Sequence, residues 1–432
     1  MKILMSAFSC GPGRGSEPGV GWNMALQAAR LGHEVLVLTQ TEFKAEIERA
    51  VAEGVAPANL TFEIFTPRWL EIYRDTLLKR GVFSLTWHTT NILWQFCALY
   101  HARKLCKHAP FDLVYHVTMA GIRQPTLLFA LGLPTVIGPL GGGERAPMHL
   151  RKSFSWKGWL FDFLRDISTL VLRIDPITRA AFLNADLIFL RSHESLVAVP
   201  PKSRSKVHID VGIGIAPGIV GKVTPHEAAT PLKLLYAGRL VHWKGAHLAI
   251  QAVAHARSQG TDVTLHLVGS GPAKQDFLRL ADQLGIAKSI HWTDELPRDK
   301  FLAMYQEHHA FLFPSLHDSA STVILEAFAF GLPVLCLDLG GPGQLVDQTC
   351  GRRVSANLNE LDCVYELARE IETLAKNEDL RLTLGRGALR RYEEYTWPRV
   401  AERLFSQIEY TISARTISHP LPKEKPGTLL EI

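Results

Sequence analysis

No stretch of 18 or more uncharged apolar residues occurs in the sequence, which argues against a membrane-spanning helix. The amino terminus, MKILMSAFSC, lacks the long apolar core and cleavage site of a secretory leader and reads as a buried first strand. The six cysteines (Cys10, Cys97, Cys106, Cys336, Cys350 and Cys363) show no CxxC pair and no Cys/His spacing for zinc. They read as buried thiols kept reduced, which places the chain in the cytoplasm with membrane contact only at a surface. No D-x-D pair is present to hold a metal between phosphates. The formal charge is only +5, from 47 Lys and Arg against 42 Asp and Glu. That is too weak for a dedicated nucleic-acid binder, and it suits an anionic substrate or an anionic membrane surface.

What is present describes an ordinary globular protein, 47% hydrophobic and 21% charged, whose 432 residues exceed one core and suggest two large domains. Short apolar runs bounded by glycine and polar turns alternate with helical spacing in both halves. In the first half the strands fall at Lys2–Phe8, 33–40, 61–66, 111–118, 132–140, 186–191 and 206–210, with a helical, aromatic and basic stretch at 68–108. In the second they fall at 232–238, 263–269, 289–293, 311–313 and 333–337. This grammar predicts an α/β protein of two doubly wound, Rossmann-like domains facing across a cleft. The expected limits are 1–213 for the first domain, 214–231 for a Gly/Pro-rich linker and 232–395 for the second domain. Helix 396–413 is expected to pack back on the first domain, followed by a polar tail at 414–432.

Four stretches carry candidate chemistry. SCGPGRGSEPGVG (9–21) follows the first strand and precedes a helix from Trp22 to Leu31. It matches neither G-x-G-x-x-G nor a P-loop, and reads either as a flexible connection or as a phosphate or substrate loop. His116, at the carboxyl end of its strand, is either a satisfied structural residue or a ligand for a sugar or diphosphate, and Glu144 after three glycines is a weaker candidate. In YAGRLVHWKG (236–245), Arg239 leaves a strand and Lys244 opens the next helix, so the two cations either converge on neighbouring phosphates or are solvated surface charges. FPSLHDSASTVILEAFAFGLPVLCL (313–337) runs from a strand through a polar loop to a short helix and a second strand. It sets Asp318 and Glu326 beside a helix N-terminus at the carboxyl end of a strand, where open α/β sheets bind ligands.

The D-x7-E spacing with its EAFAFGLPVL continuation, together with G-R-L-x-x-x-K-G about 80 residues earlier, resembles retaining nucleotide-sugar glycosyltransferases of the GT-B fold, in particular glycosyltransferase family 4. The departure is the first acid, Asp318 in place of Glu. The resemblance covers nearly the whole chain and implies roles. Arg239 and Lys244 would neutralise the departing nucleoside diphosphate. Glu326 would hydrogen-bond the ribose. Asp318 would contact sugar hydroxyls, its alternative being a helix N-cap. Gly15, Ser16 and Gly19 would face the diphosphate and acceptor. Gly269 and Gly271, with the loop around 293–296, would line the base, and Thr322 and Val323 would complete the nucleotide-sugar site. His116 would take part in catalysis. The family implies no cofactor and no metal, a nucleotide sugar as donor, and transfer of a hexose with retention to a glycan or lipid-linked acceptor in cell-surface polysaccharide synthesis. A non-catalytic nucleotide-sugar or glycan-binding protein of the same fold, or an epimerase, is the alternative.

One stretch lies outside this scheme. RKSFSWKGWLFDFLRDISTLVLR (151–173) interleaves Arg151, Lys152, Lys157, Arg165 and Arg173 with five large aromatic residues. It reads either as an interfacial helix that docks the first domain on anionic lipid or as a domain helix with its aromatics packed inward.

Overall fold

The computed structural model describes residues 1–81, 83–221 and 231–418. Seven strands form the first sheet: β1 (Lys2–Ser6), β2 (Glu34–Thr39), β3 (Leu60–Ile64), β4 (Leu113–His116), β5 (Thr135–Leu140), β6 (Leu187–Leu190) and β7 (Val207–Ile209). Six form the second: β8 (Leu232–Ala237), β9 (Val263–Val268), β10 (Ile290–Thr293), β11 (Ala310–Phe313), β12 (Val334–Leu337) and β13 (Gly351–Val354). Every pairing is parallel, in the orders β3-β2-β1-β4-β5-β6-β7 and β10-β9-β8-β11-β12-β13. The apolar runs are nearly continuous because parallel strands are covered on both faces; β4, β11 and β12 are buried throughout.

Around the first sheet lie α1 (Ser16–Arg30), α2 (Lys44–Ala52), α3 (Arg68–Lys79), α4 (Phe83–His108), α5 (Trp156–Val171) and α6 (Pro176–Asn184). Around the second lie α7 (Ala246–Ser258), α8 (Lys274–Gln283), α9 (Arg298–Gln306), α10 (Thr322–Ala329), α11 (Gly340–Leu345), α12 (Glu360–Lys376) and α13 (Glu378–Glu394). The last helix, α14 (Trp397–Ser418), returns to the first domain, where Arg415 pairs with Asp186 at 2.7 Å and Phe405 packs against Tyr115. Strand order reverses between β1 and β4 and between β8 and β11. The carboxyl ends of these four strands are therefore where crevices open.

Several expectations are corrected. Helix α1 begins at Ser16 rather than Trp22, so most of the Gly15–Gly21 stretch is helix and not loop. Glycine there reflects close backbone approach, since a Cβ on Gly19 would lie 2.2 Å from the Arg14 carbonyl. Residues 414–418 end α14 instead of starting a tail; residues 419–432, and 222–230 of the expected linker, lie outside the described residues.

Helix α5 departs from the inward-packed reading. Its buried residues are Gly158, Asp162, Asp166 and Thr169, whereas Trp156, Trp159, Phe161 and Phe163 are exposed. The polar side is the one that is held. Arg151 donates to Asp166 at 2.8 Å, Arg165 to the Glu144 carbonyl at 2.7 Å, and Arg123 to Ser168 at 3.0 Å.

Candidate functional site

The site is built where the second sheet reverses its order. After β8 the chain turns through Gly238 and Arg239 into a short turn at His242–Lys244, fastened by a hydrogen bond from the Tyr236 hydroxyl to the Lys244 carbonyl at 3.0 Å. Gly245 has φ +74°, and a Cβ there would sit 1.9 Å from the Pro314 carbonyl. Only glycine lets this turn lie against the loop after β11, which brings Lys244 to Asp318. The two form an ion pair, and Ser321 donates to the same carboxylate at 2.8 Å. The Lys244 ammonium also stands 5.5 Å from the centre of the Phe313 ring.

The N-cap alternative for Asp318 is not realised. Ser321 occupies that position of α10, with no side-chain cap, while the Asp318 carbonyl accepts from Gly341 N at 2.7 Å. Four residues into α10, Glu326 is buried. Its Oε1 accepts from Arg298 at 2.9 Å and its Oε2 from the Tyr305 hydroxyl at 3.0 Å. Burial raises its pKa, and the Arg298 charge acts against the rise.

Two clefts flank the first turn of α10. One, about 640 Å³, is lined by Arg239, Gly269, Gly271, Leu296 and Val323. Arg239 is exposed and makes no ion pair or side-chain hydrogen bond among the described residues, leaving its guanidinium open to the cleft. The other, about 480 Å³, lies between the domains. Gly15, Ser16 and Gly19 meet Thr322, Glu326 and Arg298 across it. The domains are in contact beside it: a Cβ on Gly141 would lie 2.6 Å from the Ser319 side chain, and Gly340 N donates to Glu194 at 2.8 Å.

His116 lines neither cleft. It is buried beside a small internal cavity of about 10 Å³, with Nδ1 3.2 Å from Ser6 Oγ, and burial lowers its pKa to about 4. The buried, neutral imidazole thus stands apart from both clefts. Glu144 is a brace: it accepts from Gly142 N and Ser192 Oγ, both at 2.7 Å, and so fixes the triple-glycine loop.

Sequence reasoning missed the partners of the marked residues. Arg298 and Tyr305 reach Glu326 from 28 and 21 residues away. Asp162 of α5 lies 3.5 Å from His242 Nε2 and 3.4 Å from His317 Nε2, each histidine next to or near a marked residue, Lys244 and Asp318. Asp162 is 1% exposed. Burial alone would raise its pKa, but the facing imidazoles hold it below the usual carboxylate range. Burial likewise keeps His317 neutral down to about 4, against the pull of that carboxylate.

Residues 224–391 match the family described as glycosyl transferases group 1. The chain is similar to a D-inositol 3-phosphate glycosyltransferase of Corynebacterium diphtheriae, 27% identical over 40% of this chain and 41% of that protein. It is also similar to the 2-deoxystreptamine glucosyltransferase of Streptomyces kanamyceticus, 33% identical over 32% and 34%. These matches span about two fifths or less of the relatives' length. Among solved structures, Anabaena HepE in complex with UDP superposes with a TM-score of 0.58 at 18% identity, covering 95% of this chain and all of that one. The lipopolysaccharide outer core galactosyltransferase WaaB gives 0.62 at 14%, covering 95% and 99%. At these identities the likeness establishes the fold, two Rossmann-like domains in the GT-B arrangement.

Proposed function

We propose that this chain, which belongs to the glycosyl transferases group 1 by its second domain, is an enzyme that moves a hexose from a nucleoside-diphosphate sugar to a glycan or lipid-linked acceptor. The observation that carries the reading is the open Arg239 guanidinium on a cleft it shares with Gly269, Gly271, Glu295, Leu296 and Val323, where the Glu295 carboxylate is engaged by Ser270 at 2.7 Å. A free cation, backbone that approaches closely, and an adjoining helix N-terminus suit a diphosphate and its base. The similarity of the chain to the inositol phosphate and deoxystreptamine glycosyltransferases supports transfer over binding alone. That HepE has been solved with UDP and glucose supports a nucleotide sugar as donor.

In this reading the sugar–phosphate bond breaks with its electrons passing to the diphosphate oxygen, and Arg239 and Lys244 stabilise the charge that develops there. The acceptor hydroxyl forms the new bond on the same face of the sugar, with retention, and passes its proton to the departing diphosphate oxygen. Glu326, held by Arg298 and Tyr305, presents its carboxylate to the ribose, and Asp318 meets the sugar hydroxyls. Ser16 and Thr322 stand on opposite walls of the interdomain cleft, where donor and acceptor would meet. The two cations stand in for a metal. The place of work is the cytoplasm, at its membrane face where the acceptor is a lipid, in the assembly of cell-surface polysaccharide.

A thermal-shift screen of nucleotide sugars tests the reading. A true donor raises the unfolding temperature by mass action, and slow release of nucleoside diphosphate without acceptor marks an enzyme rather than a binding protein. If no nucleotide sugar stabilises the chain and no diphosphate is released, the reading fails.

A further inference from the structure

Helix α5 is amphipathic with its faces reversed. Apolar residues recur at helical spacing along one side, at Trp156, Trp159, Leu164, Ile167 and Val171, and all are exposed. Just beyond the helix Ile174 continues the stripe at 77% exposure. The opposite side, with Asp162 and Asp166, is buried. Arg151, Arg145, Arg123 and Arg165 bind that side, so the helix cannot rotate its apolar stripe inward without leaving buried charges unpaired. An exposed apolar stripe of this length on a monomer marks an interaction surface.

The charge that the segment itself exposes has one sign, although Glu360 of the second domain reaches its start at Ser153 N. Lys152, Lys157, Arg173 and Arg179 are exposed along it. The helix's own acids, Asp162 and Asp166, are buried, and Asp175 is turned to cap α6 through Thr178 N at 2.7 Å. The Lys157 ammonium lies 5.7 Å from the Trp156 ring centre, an aromatic beside a cation at the edge of the stripe. No helix among the described residues is long and apolar enough to cross a membrane. A second copy of this face would bring cations against cations, without a carboxylate on the segment to meet them.

We propose that the outward face of α5, continued by Ile174 and Ile177 at the start of α6, docks on an anionic lipid bilayer. The helix lies in the plane of the headgroups, Trp156 and Trp159 at the apolar boundary and the lysines and arginines on lipid phosphates. The inference deepens the proposed function only in its purpose, since a docked first domain holds the interdomain cleft beside a lipid-linked acceptor. The docking itself does not depend on the reaction.

Sedimentation of the full chain with phosphatidylcholine vesicles, with and without phosphatidylglycerol, tests it. Binding is expected only with the anionic lipid, weakening several-fold in high salt. It should fall by roughly tenfold in the double variant Trp156→Ala, Trp159→Ala and also in Lys157→Glu, which keeps the apolar stripe. Unchanged thermal unfolding of the lipid-free variants, and unchanged stabilisation by a nucleoside diphosphate, separate lost docking from lost fold. No binding to anionic vesicles at low salt overturns the proposal. So does equal binding to the neutral vesicles, or a lipid-free dimer abolished by the same substitutions. Docking without any stabilisation by a nucleotide or nucleotide sugar would instead sink the proposed reaction and leave this surface standing.

Discussion

Lys244 and Asp318 are ion-paired across the turn after β8 and the loop after β11. The family resemblance gives them different parts of the donor, the diphosphate to Lys244 and the sugar to Asp318. In the structure each is the other's partner, while Arg239 stands open. Neither Lys244 nor Asp318 lines the cleft that Arg239 faces, so a diphosphate held at Arg239 would have to draw on the Lys244 ammonium in competition with Asp318; its three donors can serve both.

Arg239→Ala and Lys244→Ala are each expected to cut turnover on the order of a hundredfold or more, because each removes a charge-assisted contact that strengthens as the diphosphate leaves. The pairing adds a distinction. Arg239→Ala should also weaken nucleoside diphosphate binding strongly, whereas Lys244→Ala should act mainly on the rate constant. Steady-state kinetics with diphosphate titrations read both, and wild-type rates in folded variants would remove the clamp assignment.

Asp318→Asn is expected to impair the choice among sugars more than the hold on the nucleotide. Removing the carboxylate frees Lys244 for phosphate, so nucleoside diphosphate affinity should stay level or rise. Competition between nucleotide sugars that share a base measures the first effect, and calorimetry with the diphosphate the second. A collapse of diphosphate affinity would show that Asp318 is no sugar ligand.

Acid should destabilise the fold in a defined window. His116 and His247 are buried, and burial lowers both to about 4 from the usual 6.5. Below 6.5 the unfolded chain takes up protons that the native imidazoles refuse. Stability is therefore lost as pH falls from 6.5 to 4, by on the order of 3 kcal/mol per histidine at about 1.4 kcal/mol per unit. Denaturant unfolding across that window checks the sign, and a flat profile would mean that these rings are not kept neutral.

The fold was legible where its signal is local. Parallel strands covered on both faces give short apolar runs, and β8 and β11 fall where those runs predict. The two motifs were legible for the same reason, since Arg239, Lys244 and Asp318 lie in the turns that follow β8 and β11 and Glu326 in the short helix after the second of them. Composition could not tell a glycine loop from a helix packed against backbone, and Gly19 is the second. Helix α5 misleads because periodicity reports two faces without saying which one is buried; Arg123 and Arg145, outside the segment, decide it. Arg298 and Tyr305 are invisible beside Glu326 because their pairing exists only once α9 packs on α10.

The buried carboxylate of α5 gives the last prediction. Asp162 faces His242 and His317, and these belong to the two loops that carry Lys244 and Asp318. Trp243 stacks on His317 with ring centres 5.2 Å apart, which ties the two loops together, and Phe161 of α5 stacks on the same indole at 5.5 Å. Asp162 lines neither of the two clefts and acts by positioning. Asp162→Ala takes the buried carboxylate away from the two facing imidazoles and is expected to lower stability by about 3 kcal/mol. It should raise KM for the donor more than it lowers kcat, because the loops must be ordered at the cost of binding. Asp162→Asn keeps the shape and one acceptor and should recover most of the stability and part of the KM. Urea unfolding and donor titrations of both variants test this, and an Asp162→Ala enzyme with wild-type KM but lowered stability would reduce the residue to a structural brace.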